Sequence, residues 1–207
     1  WLVQTTMKCG ADIRLNTEAT PETVMAEDPD AIVVAVGSAP ARPPIAGLDN
    51  DNVFNVLDVD SGRKKVSGKV VVCGGGISGC ESALALAMEG CDVTIVDVLP
   101  EDEFAHNVVD MIYHALLPKL AEKGVRLIGS HLVRSINENG VHIEGKDWSY
   151  KTLAADYVVD ALGMKPKKDD SAEFVKLIPD VFVVGDAYEA KNIKHANSSA
   201  YICCCNI

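Results

Sequence analysis

The sequence predicts an α/β fold in which parallel strands alternate with helices, and three observations support that prediction. Apolar runs at residues 31–36, 70–73 and 181–184 each end at glycine, as expected of strands that are buried on both faces of a parallel sheet. The run 70–73 passes through a glycine-rich turn into a pattern of helical period. An alternating run at 92–98 then gives a second strand, so the order is strand, helix, strand.

The stretch KVVVCGGGISGCESALALAMEGCDVTIVD, residues 69–97, is the centre of the predicted fold. Its G-x-G-x-x-G spacing, which begins at Gly74, permits a tight turn, the close approach of a pyrophosphate, and tight packing of helix against strand. Asp97 ends the second strand roughly 20 residues later, where an acid accepts the ribose hydroxyls of NAD. Such a turn can also exist only to seat a helix on a sheet. Because strand, helix, second strand and acid all fall in place, we favour a Rossmann-like unit that binds NAD(H).

Composition and charge exclude several classes of function. A net charge of −11 over 207 residues gives no positive field for nucleic acid or anionic lipid. No apolar run approaches the length that spans a membrane, so a cytoplasmic location is expected. The seven cysteines are odd in number and include no C-x-x-C pair, which indicates reduced thiols. The sequence leaves the existence of a homo-oligomer open.

The chain before this centre contains weaker elements. Residues 1–8 suit a helix and residues 12–15 a short strand, while Thr20 and Pro21 mark the start of a brief helix. The segment APARPPIAG, residues 39–47, is too rich in proline for regular structure. It predicts an extended crossing between two domains.

The chain after the centre changes character. Asn107 is a candidate N-cap for a helix that Pro118 should kink or cut short, and residues 125–128 suit a third parallel strand. Three short alternating runs then predict an antiparallel meander: residues 132–136, 141–144 and 149–153. A buried run at 157–162 leads to a second proline-marked crossing at 163–166, and residues 194–204 could form a last helix.

These elements predict three segments of domain structure. Residues 68–163 form the NAD(H)-binding domain, and residues 1–60 and 167–207 are two remnants of one FAD-type domain. The strands that end at Gly37 and at Gly185 come before and after the NAD domain in the sequence. We therefore expect that domain to be inserted into the other one.

The order of these signals resembles that of a known family. DAIVVAVGSAPARPPIAG, the central stretch, ADYVVDALGMKPKK and IPDVFVVGDA together resemble the two-dinucleotide-fold flavoproteins. The chain is most similar to the C-terminal region of NADH:flavin oxidoreductases of the 2,4-dienoyl-CoA reductase, 2-enoate reductase and trimethylamine dehydrogenase type. In such enzymes NADH reduces FAD, and electrons pass through an iron-sulfur cluster to FMN in an N-terminal barrel. The resemblance covers nearly the whole chain and implies reduction of an enoate or enoyl-CoA type double bond.

The resemblance also assigns roles to residues. The glycines of the turn would hold the NADH pyrophosphate, Asp97 the adenosine ribose, Gly163 the nicotinamide side, and Asp186 the flavin ribityl chain, although a Gly-Asp turn after a strand is also common without a ligand. The cofactor-binding set is Gly74, Gly75, Gly76, Ile77, Ser78, Gly79, Glu81, Asp97, Gly163, Gly37, Gly185 and Asp186. No catalytic residue or metal ligand is assigned, and His106 and His114 are expected at the surface.

Two departures from the family pattern limit what the chain can do. An FAD-type domain of this group opens with its own strand, G-x-G-x-x-G loop and helix, and nothing upstream of Gly37 supplies them. The FMN barrel and the cysteines of the cluster are absent as well, and adjacent Cys203, Cys204 and Cys205 do not have cluster spacing. We therefore expect a partial C-terminal piece, inactive or weakly active alone, whose partners are the missing barrel and FAD phosphate loop.

Three functions compete at this point. The first is an electron-input module that passes hydride from NADH to FAD, and the second is a nucleotide-binding domain without chemistry that holds NAD or ADP. The third, a disulfide reductase, needs a redox-active cysteine pair that the sequence lacks. NADH should be preferred to NADPH, because Asp97 would repel a 2′-phosphate and no Lys or Arg occurs in residues 70–118. That repulsion predicts a penalty of roughly 3 kcal/mol.

Overall fold

The computed structural model describes residues 1–105 and 108–207. The strands are β1 (Ile32–Val34), β2 (Ser38–Pro40), β3 (Val53–Asn55), β4 (Lys69–Cys73), β5 (Asp92–Val96), β6 (Arg126–Ile128), β7 (His131–Asn137), β8 (Gly140–Gly145), β9 (Tyr150–Leu153), β10 (Tyr157–Asp160), β11 (Met164–Pro166) and β12 (Val181–Val183). The α-helices are α1 (Leu2–Thr6), α2 (Pro21–Met25), α3 (Val56–Asp60), α4 (Ile77–Met88), α5 (Asp110–Glu122), α6 (Lys168–Ala172) and α7 (Ile193–Cys204). Short 3-10 helices lie at Glu101–Glu103 and Gly185–Ala187.

The chain divides into two compact units. The continuous unit is Pro40–Met164, and the split unit consists of Trp1–Ala39 and Lys165–Ile207. No helix in the described residues is long and apolar enough to cross a membrane.

The continuous unit contains a five-stranded parallel sheet in the order β3-β10-β4-β5-β6. The strand β4 lies at its centre, and the chain runs from there to β5 on one side and returns to β10 on the other. This order confirms the predicted α/β class and the Rossmann-like arrangement.

The first strand of this sheet was not expected. Residues Val53–Asn55 pair with Val158–Asp160, so β3 forms one edge of the sheet although residues 1–60 were predicted to belong to the FAD-type remnant. The compact unit begins at Pro40 and therefore includes β3. The functional division into segments 1–60, 68–163 and 167–207 stays a prediction.

Alternate residues of the central strands serve two different cores. Val70 and Val72 pack with Cys80, Ala83 and other residues of α4 and α5 on one face of the sheet. Val71 and Cys73 pack on the other face against residues of the three-stranded antiparallel sheet β7-β8-β9, which are Val133, Ile136, Val141 and Ile143. Period-two alternation explains why a strand with no polar interruption is buried on both faces. The predicted meander is confirmed as the cover of the second face.

The structure confirms the helix α5 but not its early end at Pro118. Pro118 lies inside the helix, which continues to Glu122, so the proline does not cut it short. The side chains of Leu116 and Leu120 are buried on either side of Pro118, and their packing holds both parts of the helix against the core. The predicted cap Asn107 lies outside the described residues.

The split unit is built around a smaller sheet. Its strands β1 and β12 are parallel and pair Ile32 with Val181 and Val34 with Val183. The predicted strand at 12–15 is wrong, because these residues have no strand partner in the described part of the chain. The helices predicted near Thr20 and at 194–204 are confirmed as α2, which Thr20 caps, and α7.

Candidate functional site

The glycine turn lies between β4 and α4, and three of its glycines are required by the protein's own packing. A Cβ on Gly74 would lie 2.3 Å from the carbonyl oxygen of Ala161, and its φ is +118°. A Cβ on Gly79 would lie 2.0 Å from the carbonyl oxygen of Gly74, and one on Gly75 would lie 2.9 Å from the ring of Phe104. Any side chain at these positions would displace backbone or a buried aromatic ring.

Gly76 is different, because no protein atom explains it. A Cβ built on Gly76 would meet nothing within 4 Å, and its φ of −66° suits any residue. Gly76 is also the N-cap of the 12-residue helix α4, whose first turn has no side-chain cap. The helix therefore presents N–H groups and the positive end of its dipole to an open space beside Gly76, which is an arrangement that binds phosphate.

The structure joins Asp97 to this turn. The Oδ2 atom of Asp97 accepts a hydrogen bond from the backbone N–H of Gly75 at 2.5 Å, and Oδ1 accepts one from Leu99 at 2.8 Å. Asp97 is half-buried at the end of β5. A carboxylate has about four acceptor positions, and the described part of the chain uses two of them, which leaves two for ribose hydroxyls. The acid and the glycine turn are thus one constellation rather than two separate sequence features.

A cavity of about 280 Å³ lies next to the strand end that carries Asp97. Its walls come mainly from the meander: Val98, Ser130, His131, Leu132, Arg134, Glu144, Gly145, Lys146 and Trp148. The backbone N–H of His131 donates to the carbonyl oxygen of Asp97 at 2.9 Å, which ties the cavity wall to the strand end. Arg134 pairs with the buried Glu144, and this hydrogen bond holds the pKa of Glu144 below its ordinary value.

Sequence reasoning missed these cavity residues. Residues 70–118 contain no Lys or Arg, whereas His131, Arg134 and Lys146 come from the meander. No local motif marks them. Only the packing of the meander against the carboxyl end of the parallel sheet brings them close to Val98.

The remaining residues predicted for NAD(H) lie at the same end of the continuous unit or on α4. Ser78 and Glu81 are exposed in the first turns of α4, and Ile77 is half-buried. Gly163 follows β10 with a φ of +97°, and its carbonyl oxygen accepts a hydrogen bond from the backbone N–H of Ala41 at 2.9 Å.

The residues predicted for FAD lie close together in the split unit. Asp186 accepts a hydrogen bond from the hydroxyl of Ser38, the neighbour of Gly37, at 3.2 Å. The buried Gly185 donates its backbone N–H to the Ser199 hydroxyl at 2.8 Å. In residues 1–36 the described elements are α1, α2 and β1, and no G-x-G-x-x-G loop joins a strand to a helix there. The described residues of this unit therefore contain no loop of that kind for the diphosphate of FAD.

The cysteines provide no evidence of dithiol chemistry. All seven are free thiols, and burial raises the pKa of Cys73 to about 12, with the negative charges of Asp160 and Asp97 adding to the effect. Burial also raises the pKa of Cys80, to about 11. These thiols stay protonated at neutral pH and are poor nucleophiles.

Metal ligation has no support in the described part of the chain either, where no group of three potential ligands occurs. His114 is exposed on α5, as expected, and His106 lies outside the described residues.

Known proteins match this chain over nearly its whole length. An NADH oxidase of Thermoanaerobacter brockii is 32% identical over 209 residues, which cover 97% of this chain and 31% of that protein. A cinnamate reductase of Clostridium sporogenes is 32% identical over 198 residues, 93% of this chain and 29% of the relative. The solved complex of 2-naphthoyl-CoA reductase with 2-naphthoyl-CoA has a TM-score of 0.85 at 30% identity, over 96% of this chain and 30% of that one. The chain thus spans about a third of the length of these proteins.

The family-level match agrees with the geometry. A model described as pyridine nucleotide-disulphide oxidoreductase matches residues 8–200, a range that includes the glycine turn, Asp97 and most of both units. Because the parallel sheet, the turn and the sequence similarity coincide, the chain belongs to the pyridine nucleotide-disulphide oxidoreductase family.

Proposed function

We propose that the continuous unit binds NADH and supplies its hydride to a flavin, as the electron-input part of an NADH:flavin oxidoreductase of the 2,4-dienoyl-CoA reductase and 2-enoate reductase type. The observation that carries this proposal is the open space at Gly76. A glycine that neither packing nor backbone conformation requires, at an uncapped helix N-terminus, is explained by a ligand that approaches the backbone closely.

The position of Asp97 sets the direction of the dinucleotide. With the pyrophosphate at the start of α4, the adenosine ribose would lie over β5, where Asp97 has acceptor positions left. The adenine would then extend towards the cavity beside Val98. The nicotinamide half would extend the opposite way, across the end of β10 towards Gly163.

The final substrate is inferred from relatives. Two of the similar proteins are named for reduction of cinnamate and of 2-naphthoyl-CoA. Both names support an enoate or an aryl or enoyl-CoA type substrate. In this proposal the FAD phosphate cradle, the FMN barrel and the iron-sulfur cluster are supplied by other parts of the same enzyme.

The alternative is a unit that holds NAD or ADP without redox chemistry, and the lack of an FAD phosphate cradle in the described split unit favours it. The test has two stages. Calorimetry should show NADH bound with a Kd between about 1 μM and 1 mM, the usual range for such cofactors. Excess FAD with NADH should then lose its visible absorption under anaerobic conditions faster than with the Gly76→Val control. Faster bleaching would refute the alternative, binding without it would show that the isolated chain only holds the nucleotide, and no binding would refute both functions.

A further inference from the structure

A buried carboxylate lies beside the proposed nicotinamide end of the site. Asp160 is the last residue of β10, and only 1% of its side chain is exposed. Its Oδ1 atom accepts a hydrogen bond from the backbone N–H of Leu162 at 3.1 Å, and its Oδ2 atom accepts one from Nδ2 of Asn55 at 3.4 Å. The nearest guanidinium, that of the exposed Arg42, lies 3.9 Å from Oδ2.

Asn55 connects this carboxylate to a second element. Its Nδ2 atom also donates to the carbonyl oxygen of Asp160 at 3.2 Å, and its Oδ1 atom accepts from the backbone N–H of Leu57 at the start of α3. Both polar ends of the amide are therefore used. Asn55 fixes the end of β10 relative to the first turn of α3.

The turn held by these two residues packs against the glycine turn. The carbonyl oxygen of Ala161 lies 2.3 Å from the position of a Cβ on Gly74, and the Cβ of Ala161 lies 3.3 Å from that of a Cβ on Gly79. On the far side, the carbonyl oxygen of Gly163 accepts from Ala41. Residues 161–163 thus form the wall of the crevice between β4 and β10, at the point where the strand order reverses.

From this geometry we infer that Asp160 and Asn55 are positioning residues for the nicotinamide half of NADH, an inference that rests on the proposed function. Burial of a carboxylate is costly unless hydrogen bonds satisfy it. Here those bonds go to the backbone of the crevice wall and to Asn55. Asp160 therefore sets the backbone of residues 161–163, along which the nicotinamide half must lie if Asp97 holds the adenosine half.

The opposite end of β10 offers a matched control. Asp156 lies immediately before the strand, and its Oδ2 atom accepts from the backbone N–H of Lys69 at 2.7 Å. This carboxylate also fixes backbone in the same sheet, but at the end away from the glycine turn. Loss of Asp156 should affect stability without distinguishing one half of the dinucleotide from the other.

The test compares NADH with ADP-ribose, which lacks nicotinamide, by calorimetry on the whole chain. Asp160→Ala should lower the affinity for NADH about tenfold or more, and the affinity for ADP-ribose less than about threefold. Asp160→Asn keeps an acceptor for Leu162 but loses the one for Asn55, so it should retain part of the NADH affinity, and Asn55→Ala should lower that affinity about three- to fivefold. Asp156→Ala should leave the ratio of the two affinities unchanged.

Thermal unfolding of each variant separates misfolding from a local effect, and the two milder variants keep the test valid if Asp160→Ala does not fold. An equal loss of affinity for both ligands in the Asp160 and Asn55 variants would overturn the inference while leaving the proposed function intact. An unchanged affinity for NADH in these variants would do the same. Failure of the unmodified chain to bind either ligand would instead refute the proposed function, and the inference with it.

Discussion

Both units contain parallel strands, but the central strands β4 and β5 of the continuous unit are covered on both faces, whereas β1 and β12 of the split unit are not. Val72 and Ile95 in the five-stranded sheet are fully buried, whereas Val33 in the two-stranded sheet is 38% exposed. One buried cluster of the split unit contains Ile32, Val34 and Phe174, with partly buried residues around it. Because burial of apolar surface is the main favourable term in folding, the continuous unit should contribute most of the stability of this chain.

The units also differ in the element that comes directly after a glycine-closed strand. After β4 comes a 12-residue helix with an open N-terminus, whereas after β12 comes the single 3-10 turn Gly185–Ala187. The N–H of Gly185 is already bound to the Ser199 hydroxyl. Of these two strand ends, only the one after β4 presents free helix N–H groups to a diphosphate. A strand that ends in glycine is therefore not by itself a dinucleotide site.

The largest expected difference is in local stability. Amide hydrogens of β4 and β5 should exchange at least about 1,000-fold more slowly than those of β1 and β12, which corresponds to about 4 kcal/mol. The physical reason is the two-sided cover of the first pair of strands. Hydrogen exchange followed by mass spectrometry would measure the ratio. Equal protection in the two sheets would contradict the account of the split unit as the labile part.

A second prediction separates packing glycines from the ligand glycine. Gly79→Ala should lower the free energy of unfolding by about 2–4 kcal/mol, because its Cβ would collide with the backbone of Gly74. Gly76→Ala should lower it by no more than about 1 kcal/mol, the usual cost of an alanine N-cap, while lowering the affinity for NADH about tenfold or more. Urea unfolding and calorimetry on both variants check this. A Gly76 variant that loses stability but keeps its NADH affinity would reverse the assignment.

The parts that the sequence predicted well depend on local patterns. The unit of β4, α4 and β5 follows from an apolar run, three spaced glycines and a helical period, all within about 30 residues. The meander follows from alternation with turn residues between its strands. In each case the residues that determine the structure are neighbours in the chain.

The parts that were missed depend on distant partners. The three residues of β3 have no distinctive pattern and become a strand because β10, about a hundred residues later, pairs with them. Residues 12–15 have a strand-like composition but no such partner in the described part of the chain. The cavity beside Val98 and the contact of Asp160 with Asn55 likewise join residues from separate elements. Local periodicity contains no information about such pairings.

The smallest expected effect concerns the choice of cofactor. Asp97 should still favour NADH over NADPH, but by about tenfold rather than a hundredfold, because the cavity beside it contains Arg134 and Lys146. Lys146→Ala should widen the preference and Asp97→Ala should narrow it, each by about threefold to tenfold. Calorimetric titrations with the two cofactors measure both ratios. Tighter binding of NADPH than of NADH by the unmodified chain would show that Asp97 does not select the cofactor.

The difference in ligand binding between the two units can be measured in one experiment. The purified chain is incubated with equimolar FAD and NADH, passed through a desalting column, and titrated in parallel with each cofactor by calorimetry. About one NADH should be bound per chain and no FAD retained, because the proposed phosphate-binding turn lies in the continuous unit and the described residues of the split unit contain no such turn. A yellow protein that carries stoichiometric FAD after desalting would contradict this expectation.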